Sequence, residues 1–109
     1  MNAMSNLILI GPMGAGKTTN GKWLARQLGK TFIDMDAYIE QKTGTGITHI
    51  FELEGEAGFR QREAAALAEI LANENQVIAT GGGSILLDAN RELMKRRGLV
   101  LYMHIPPEM

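Results

Sequence analysis

A chain of 109 residues, 45% hydrophobic and 21% charged, is sized and composed for one globular domain with a modest core. Its net charge of −1 offers no basic excess to hold a nucleic-acid backbone or an acidic membrane, so any anion has to be gripped locally. The absence of cysteine excludes disulfides and thiolate metal sites; with no apolar run near the ~20 residues of a membrane span and no signal-peptide pattern, the expected address is the cytoplasm.

In chain order, residues 1–4 read as an added leader, with Met4 the natural start. The run LILI at 7–10 predicts a first strand, followed by the glycine-rich GPMGAGKTT at 11–19. A helix is predicted over 17–28, with Trp23, Leu24 and Leu28 on its inward stripe and Gly29 as its stop. TFI at 31–33 predicts a second strand, ending in Asp34-Met35-Asp36. Segments 36–42 and 48–54 read as short helices, and 56–72 as a longer one that turns Phe59, Leu67, Ile70 and Leu71 inward. VIA at 77–79 predicts a third strand, followed by TGGGS at 80–84. Asp88 is placed to cap a helix running to Arg97, with Gly98 ending it. LVLYM at 99–103 predicts a fourth strand, and Pro106, Pro107 and Glu108 then read as a helix opening. The apolar runs are continuous rather than alternating, as in parallel strands buried on both faces. Strands alternating with helices predict an α/β fold with helices on both sides of a parallel sheet. Ligands of such folds gather at the carboxyl ends of the strands, so the loops at 11–19, 34–36 and 80–84 should converge on one crevice.

The chemistry sits on those loops. GPMGAGKT satisfies G-x-x-x-x-G-K-[ST] between a strand and a helix, the context in which that motif cradles phosphates. Gly11, Gly14 and Gly16 let backbone N–H groups face the anion. Lys17 would reach the β- and γ-phosphates, and the Thr18 hydroxyl would bind Mg²⁺. Of Asp34 and Asp36, one would assist the metal and the other accept a proton from an acceptor hydroxyl; the alternative is that Asp36 only caps the helix after it. Gly81, Gly82 and Gly83 at a strand end imply close approach to the backbone; the alternative is a plain loose loop. Arg60 and Glu63, three apart on a helix, can pair so that the guanidinium fork is aimed at a carboxylate; the alternative is an exposed surface pair. His49 and His104 have no partner cluster and read as structural or surface residues, and the seven methionines as core filler.

Taken in order, GPMGAGKT, D-x-D, F-R-x-x-E and GGG resemble shikimate kinase, and the resemblance runs from about residue 7 to 103, through linking text such as IEQKTG and IFELEGEAGFRQRE. It implies transfer of the ATP γ-phosphate to the 3-hydroxyl of shikimate, within aromatic amino-acid biosynthesis. It also implies a three-layer α/β/α P-loop kinase fold, like that of nucleoside-monophosphate kinases, with a parallel sheet of strand order 2-3-1-4-5. Carried onto this sequence, Gly11, Gly14, Ala15, Gly16, Lys17, Thr18 and Thr19 would bind ATP, with Lys17 catalytic. Thr18 and Asp34 would hold Mg²⁺, and Asp36 would hold the shikimate hydroxyls and act as base. Arg60, oriented by Glu63, would clamp the shikimate carboxylate; Gly81, Gly82 and Gly83 would line the acceptor site, and Phe51 and Phe59 would flank its ring.

The implied partners are the small molecules ATP and shikimate, with no nucleic acid or membrane, and the implied state is a monomer. Thr18 replaces the family's commoner serine and keeps the hydroxyl, while Asn20 stands where an apolar residue is usual. In the family, later sequence supplies a lid arginine, a second arginine on the carboxylate, the fifth strand and much of the adenine pocket. Residues 1–109 therefore read as a single kinase domain incomplete at its C-terminus, the fifth strand absent, with weak or no turnover expected; Arg91, Arg96 and Arg97 are no substitutes for the lid arginine. The competing readings are another small-molecule kinase of this fold, such as a gluconate kinase, and an inactive nucleotide-binding module.

Overall fold

Successive residues of a strand face opposite ways, so an apolar strand wholly inside a protein needs a core on each side. β1 (Asn6–Ile10) has both. Ile8 enters one core with Ile78, while Leu7 and Leu9 enter the other with Val77. The computed structural model describes residues 5–12, 15–81 and 83–103. Within them, β1, β2 (Thr31–Asp34), β3 (Gln76–Ala79) and β4 (Gly98–Tyr102) form one parallel sheet in the order β2-β3-β1-β4. This agrees with the expected order over the first four strands. The central strands β1 and β3 are buried on both faces; β2 and β4, at the edges of the described sheet, are only partly covered, so the expectation of two-sided burial fails for TFI and LVLYM.

Helices cover both faces and make three layers. α1 (Lys17–Leu28) lies on the smaller core with Leu24 and Ala25. On the other face lie α2 (Met35–Thr43), α3 (Ile47–Leu71) and α4 (Asp88–Arg97), around Met35, Ile39, Phe59, Leu67, Ile70, Leu71 and Met94. Each fully buried Leu or Ile contributes about 1.5–3 kcal/mol, so this larger core dominates the packing.

Four expectations need correction. The inward stripe of α1 is Gly21, Leu24 and Ala25; Trp23 and Leu28 are 55% and 51% exposed. α1 meets the sheet too closely for large residues, since a Cβ on Gly21 would lie 2.6 Å from the Phe32 ring. Asn20 is exposed on α1, so its polarity leaves the core unchanged. The helices expected at 48–54 and 56–72 are one helical run, bent at Gly55, whose φ of 71° and ψ of −177° suit only glycine. The bend is tied from both sides: Phe51 stacks on Phe59 at 4.6 Å, and Arg62 grips Glu54 with Nε and Nη2, both at 2.6 Å. Asp88 does not cap α4 but is its first residue, paired with Arg91. The cap of α2 is Asp34, whose Oδ1 accepts from Ala37 N at 3.1 Å, and not Asp36. Residues 1–4, Gly14, Gly82, His104 and the helix opening expected at 106–108 lie outside the described residues.

Candidate functional site

The strand ends converge as parallel topology requires. At the end of β1, Gly11 and Pro12 lead toward Ala15 and Gly16, and Ala15 N donates to Pro12 O at 3.3 Å. Lys17 opens α1, with Thr18 and Thr19 in its first turn, so the helix's free N–H groups and positive end face this loop. The Lys17 ammonium donates to the Gly11 carbonyl. Burial lowers the lysine's pKa, and the carboxylates of Asp36 and Asp34 oppose that shift. Thr18 Oγ1 donates to Asp34 Oδ2 at 3.2 Å. The cap on Ala37 fixes the other Asp34 oxygen, so the two side chains form a preset pair of oxygen donors. Oxygen donors suit a hard cation such as Mg²⁺. Among the described residues no cluster of three or more His, Cys, Asp or Glu could hold a metal alone, so a cation here would complete its shell with phosphate and water.

The end of β3 brings in the second half. Asp36 is exposed as a residue, but its carboxyl faces Gly81: a Cβ there would lie 3.0 Å from both Asp36 Oδ1 and Glu63 Oε2. Glycine thus lets two carboxylates approach one backbone turn. Loss of water around Asp36, then the charges of Asp34 and Glu63, push its pKa above the ordinary carboxylate range, with the Lys17 ammonium opposing and Glu40 adding to the rise.

Glu63 is 1% exposed and is the anchor of this half. Its Oε1 accepts from Arg60 Nη1 at 2.9 Å, and its Oε2 from Ser84 Oγ at 3.2 Å. Ser84, wholly buried, also donates its N–H to Gly81 O at 3.1 Å, and its carbonyl accepts from Asn90 Nδ2 at 3.0 Å. The Arg60 guanidinium lies 5.5 Å from the centre of the Phe59 ring and against Gly83, where a Cβ would overlap it. Arg60 is thus a cation held by a buried carboxylate, set against an aromatic ring and lining an open cavity of about 460 Å³, an arrangement whose chemistry suits an anion.

A family model described as shikimate kinase matches residues 13–109. The chain belongs to the shikimate kinase family. Family members in Psychrobacter arcticus and Nitrosococcus oceani are 50% and 52% identical to it, over 97% and 94% of this chain and 57% and 54% of their own lengths. The chain thus spans little more than half the length of these curated relatives. The structure of shikimate kinase from Acinetobacter baumannii in complex with shikimate superimposes with a TM-score of 0.92 at 52% identity, over 96% of this chain and 59% of that one. A gluconokinase from Sinorhizobium meliloti, 16% identical with a TM-score of 0.57 over 95% of this chain and 58% of its own, shares the fold alone.

The expected site residues within the described chain fall into two clusters along one sheet edge. Gly11, Ala15, Gly16, Lys17, Thr18, Thr19 and Asp34 gather around the start of α1; Asp36, Arg60, Glu63, Gly81 and Gly83 form the other cluster. Phe59 is a core residue under Arg60, and Phe51, at the rim, stacks on it. Sequence reasoning missed Glu56, Ser84 and Asn90. Ser84 adjoins the glycine run and Glu56 precedes Arg60 by one helical turn, so both carried a local signal; Asn90 carried none.

Proposed function

We propose that this chain is the nucleotide- and acceptor-binding part of a shikimate kinase, which transfers the γ-phosphoryl group of ATP to the 3-hydroxyl of shikimate. The observation that carries the reading is the meeting of Asp36 with the Glu63-held Arg60 around Gly81, beside the Lys17 loop. Its support from relatives is the shikimate complex of the A. baumannii enzyme, alike in fold and half identical in sequence.

In this reading Lys17 exchanges the Gly11 carbonyl for phosphate oxygens, and the loop N–H groups position the donor. Arg60 takes the acceptor carboxylate, because a guanidinium fork binds two oxygens at once. Asp36 accepts the proton of the acceptor hydroxyl as its oxygen bonds to phosphorus and the bond to ADP breaks; its raised pKa suits a base. Thr18 and Asp34 would hold Mg²⁺, which when bound neutralises phosphate charge. The acceptor's hydroxyls would meet Asp36 and the glycines Gly81, Gly82 and Gly83, with Phe51 and Phe59 beside its ring. The protein works as a cytoplasmic monomer on small molecules.

Release of ADP measured with MgATP and either shikimate or gluconate, using the full gene product, tests the proposal. Shikimate-dependent release is expected; turnover of gluconate alone, or of neither, overturns it.

A further inference from the structure

The three nitrogens of Arg60 are unequally used. Nη1 donates to the buried Glu63. Nη2 donates to Glu56 Oε2 at 3.3 Å, and Glu56 is 68% exposed. Nε is buried and, among the described residues, has no hydrogen-bond partner. Nε and Nη2 share one edge of the guanidinium, the edge with which Arg62 forks Glu54 at 2.6 Å on both nitrogens. On Arg60 that edge is half filled by one longer bond. Arg60 is one of the residues lining a cavity, with Glu56, Ala57, Gln61, Leu86 and Leu87.

The two carboxylates on Arg60 differ in how firmly they are held. Glu63 is locked by burial and by Ser84. Glu56 stands in solvent on a single bond, and exposed pairs of this kind are weak. A carboxylate that makes two parallel bonds to the same edge outcompetes one that makes a single bond, and gives Nε the acceptor it lacks.

We propose that Glu56 is a resident carboxylate that occupies the outer edge of Arg60 until the acceptor's carboxylate displaces it, and so sets acceptor affinity. This rests on the reading of Arg60 as the acceptor clamp. Glu56 acts through Arg60, as a positioning residue that opposes binding rather than aiding it. Its removal therefore tightens binding, an effect that loss of a merely structural residue does not produce.

The test compares wild type with Glu56→Gln by calorimetry, with the side-chain Nε–H resonance of Arg60 followed by NMR. The probes are shikimate, its neutral methyl ester, and cyclohex-1-ene-1-carboxylate, which keeps the ring and charge but has no hydroxyls. Glu56→Gln should bind both carboxylates about 1.5- to fivefold more tightly, the gain that follows from losing an exposed pair. The methyl ester should be unaffected, and the Arg60 resonance should move on saturation with either carboxylate. Unchanged or weaker binding of cyclohex-1-ene-1-carboxylate, an equal gain for the ester, or an Arg60 resonance that neither carboxylate moves would each overturn the proposal. If the hydroxyl-free carboxylate behaves as expected and shikimate binds no better, the Glu56 assignment stands and the shikimate reading fails.

Discussion

As the proposed base, Asp36 would hold two opposed duties, and its surroundings set the balance. A base works only when deprotonated, yet Asp36 sits where water is scarce and two carboxylates stand near, so its proton is lost at a higher pH than usual. The acid limb of kcat/KM should therefore fall above the ordinary carboxylate pKa of about 4. Asp36→Asn should reduce turnover by a factor on the order of 10²–10⁴ and remove that limb from the pH–rate profile. Stability should move the other way. The folded pKa lies above the unfolded one, so between them the folded state binds more protons, and stability falls as pH rises through that window. At pH 7 the whole penalty is present; the Asn variant should unfold at a higher temperature than wild type there, and lose that advantage in acid, where both carry a neutral side chain. A lower melting temperature at pH 7 would refute this account of the site.

At the scale of elements, the bend in α3 decides what reaches the crevice. Gly55 joins two helical stretches whose apolar faces do not share one straight axis, and only glycine adopts its backbone angles cheaply. The bend lets Phe51 lie on Phe59 and Glu54 meet Arg62, and it places Glu56 directly before Arg60 on the site side. Gly55→Ala should destabilise the fold by about 1–3 kcal/mol in denaturant titrations. A Cβ meets no atom within 4 Å there, so the cost comes from the backbone and not from a clash. Two apolar, helical patterns separated by glycine were readable in the sequence; their fusion into one bent element was not, because the ties across the bend are contacts eight residues apart.

Across the whole molecule, Asn6 joins the ends of the sheet and helices opposite the site. It is 1% exposed and makes four hydrogen bonds: Oδ1 accepts from Gln76 N and Nε2, and Nδ2 donates to the carbonyls of Asn73 and Arg97. One side chain thus holds β3, the turn before it and the end of α4 to β1. Asn6→Ala should cost about 1–3 kcal/mol for each buried group it leaves unpaired, read as a lower unfolding midpoint, with the KM for the proposed acceptor little changed at temperatures where the protein stays folded. A large change in KM would mean that the two ends of the sheet are mechanically coupled.

Some of this protein was decided along the chain. The glycine-rich loop motif is local, because its glycines, lysine and threonine follow one another between one strand and one helix, and the strand–helix alternation follows from apolar runs and glycine stops. Arg60 and Glu63 were legible as a pair because a helix sets their spacing. Other features needed the tertiary structure. Asp34 caps α2 and meets Thr18, a residue sixteen positions away. α1 turns glycine and alanine to the sheet and its tryptophan to solvent, because the close approach of Phe32 decides which side chains fit. The Arg60–Glu63 pair is anchored because Ser84 and Asn90, from distant segments, close the buried hydrogen bonds around Glu63. Local spacing fixes which groups are available; long-range packing, by choosing what is buried and paired, decides their aim and their charge.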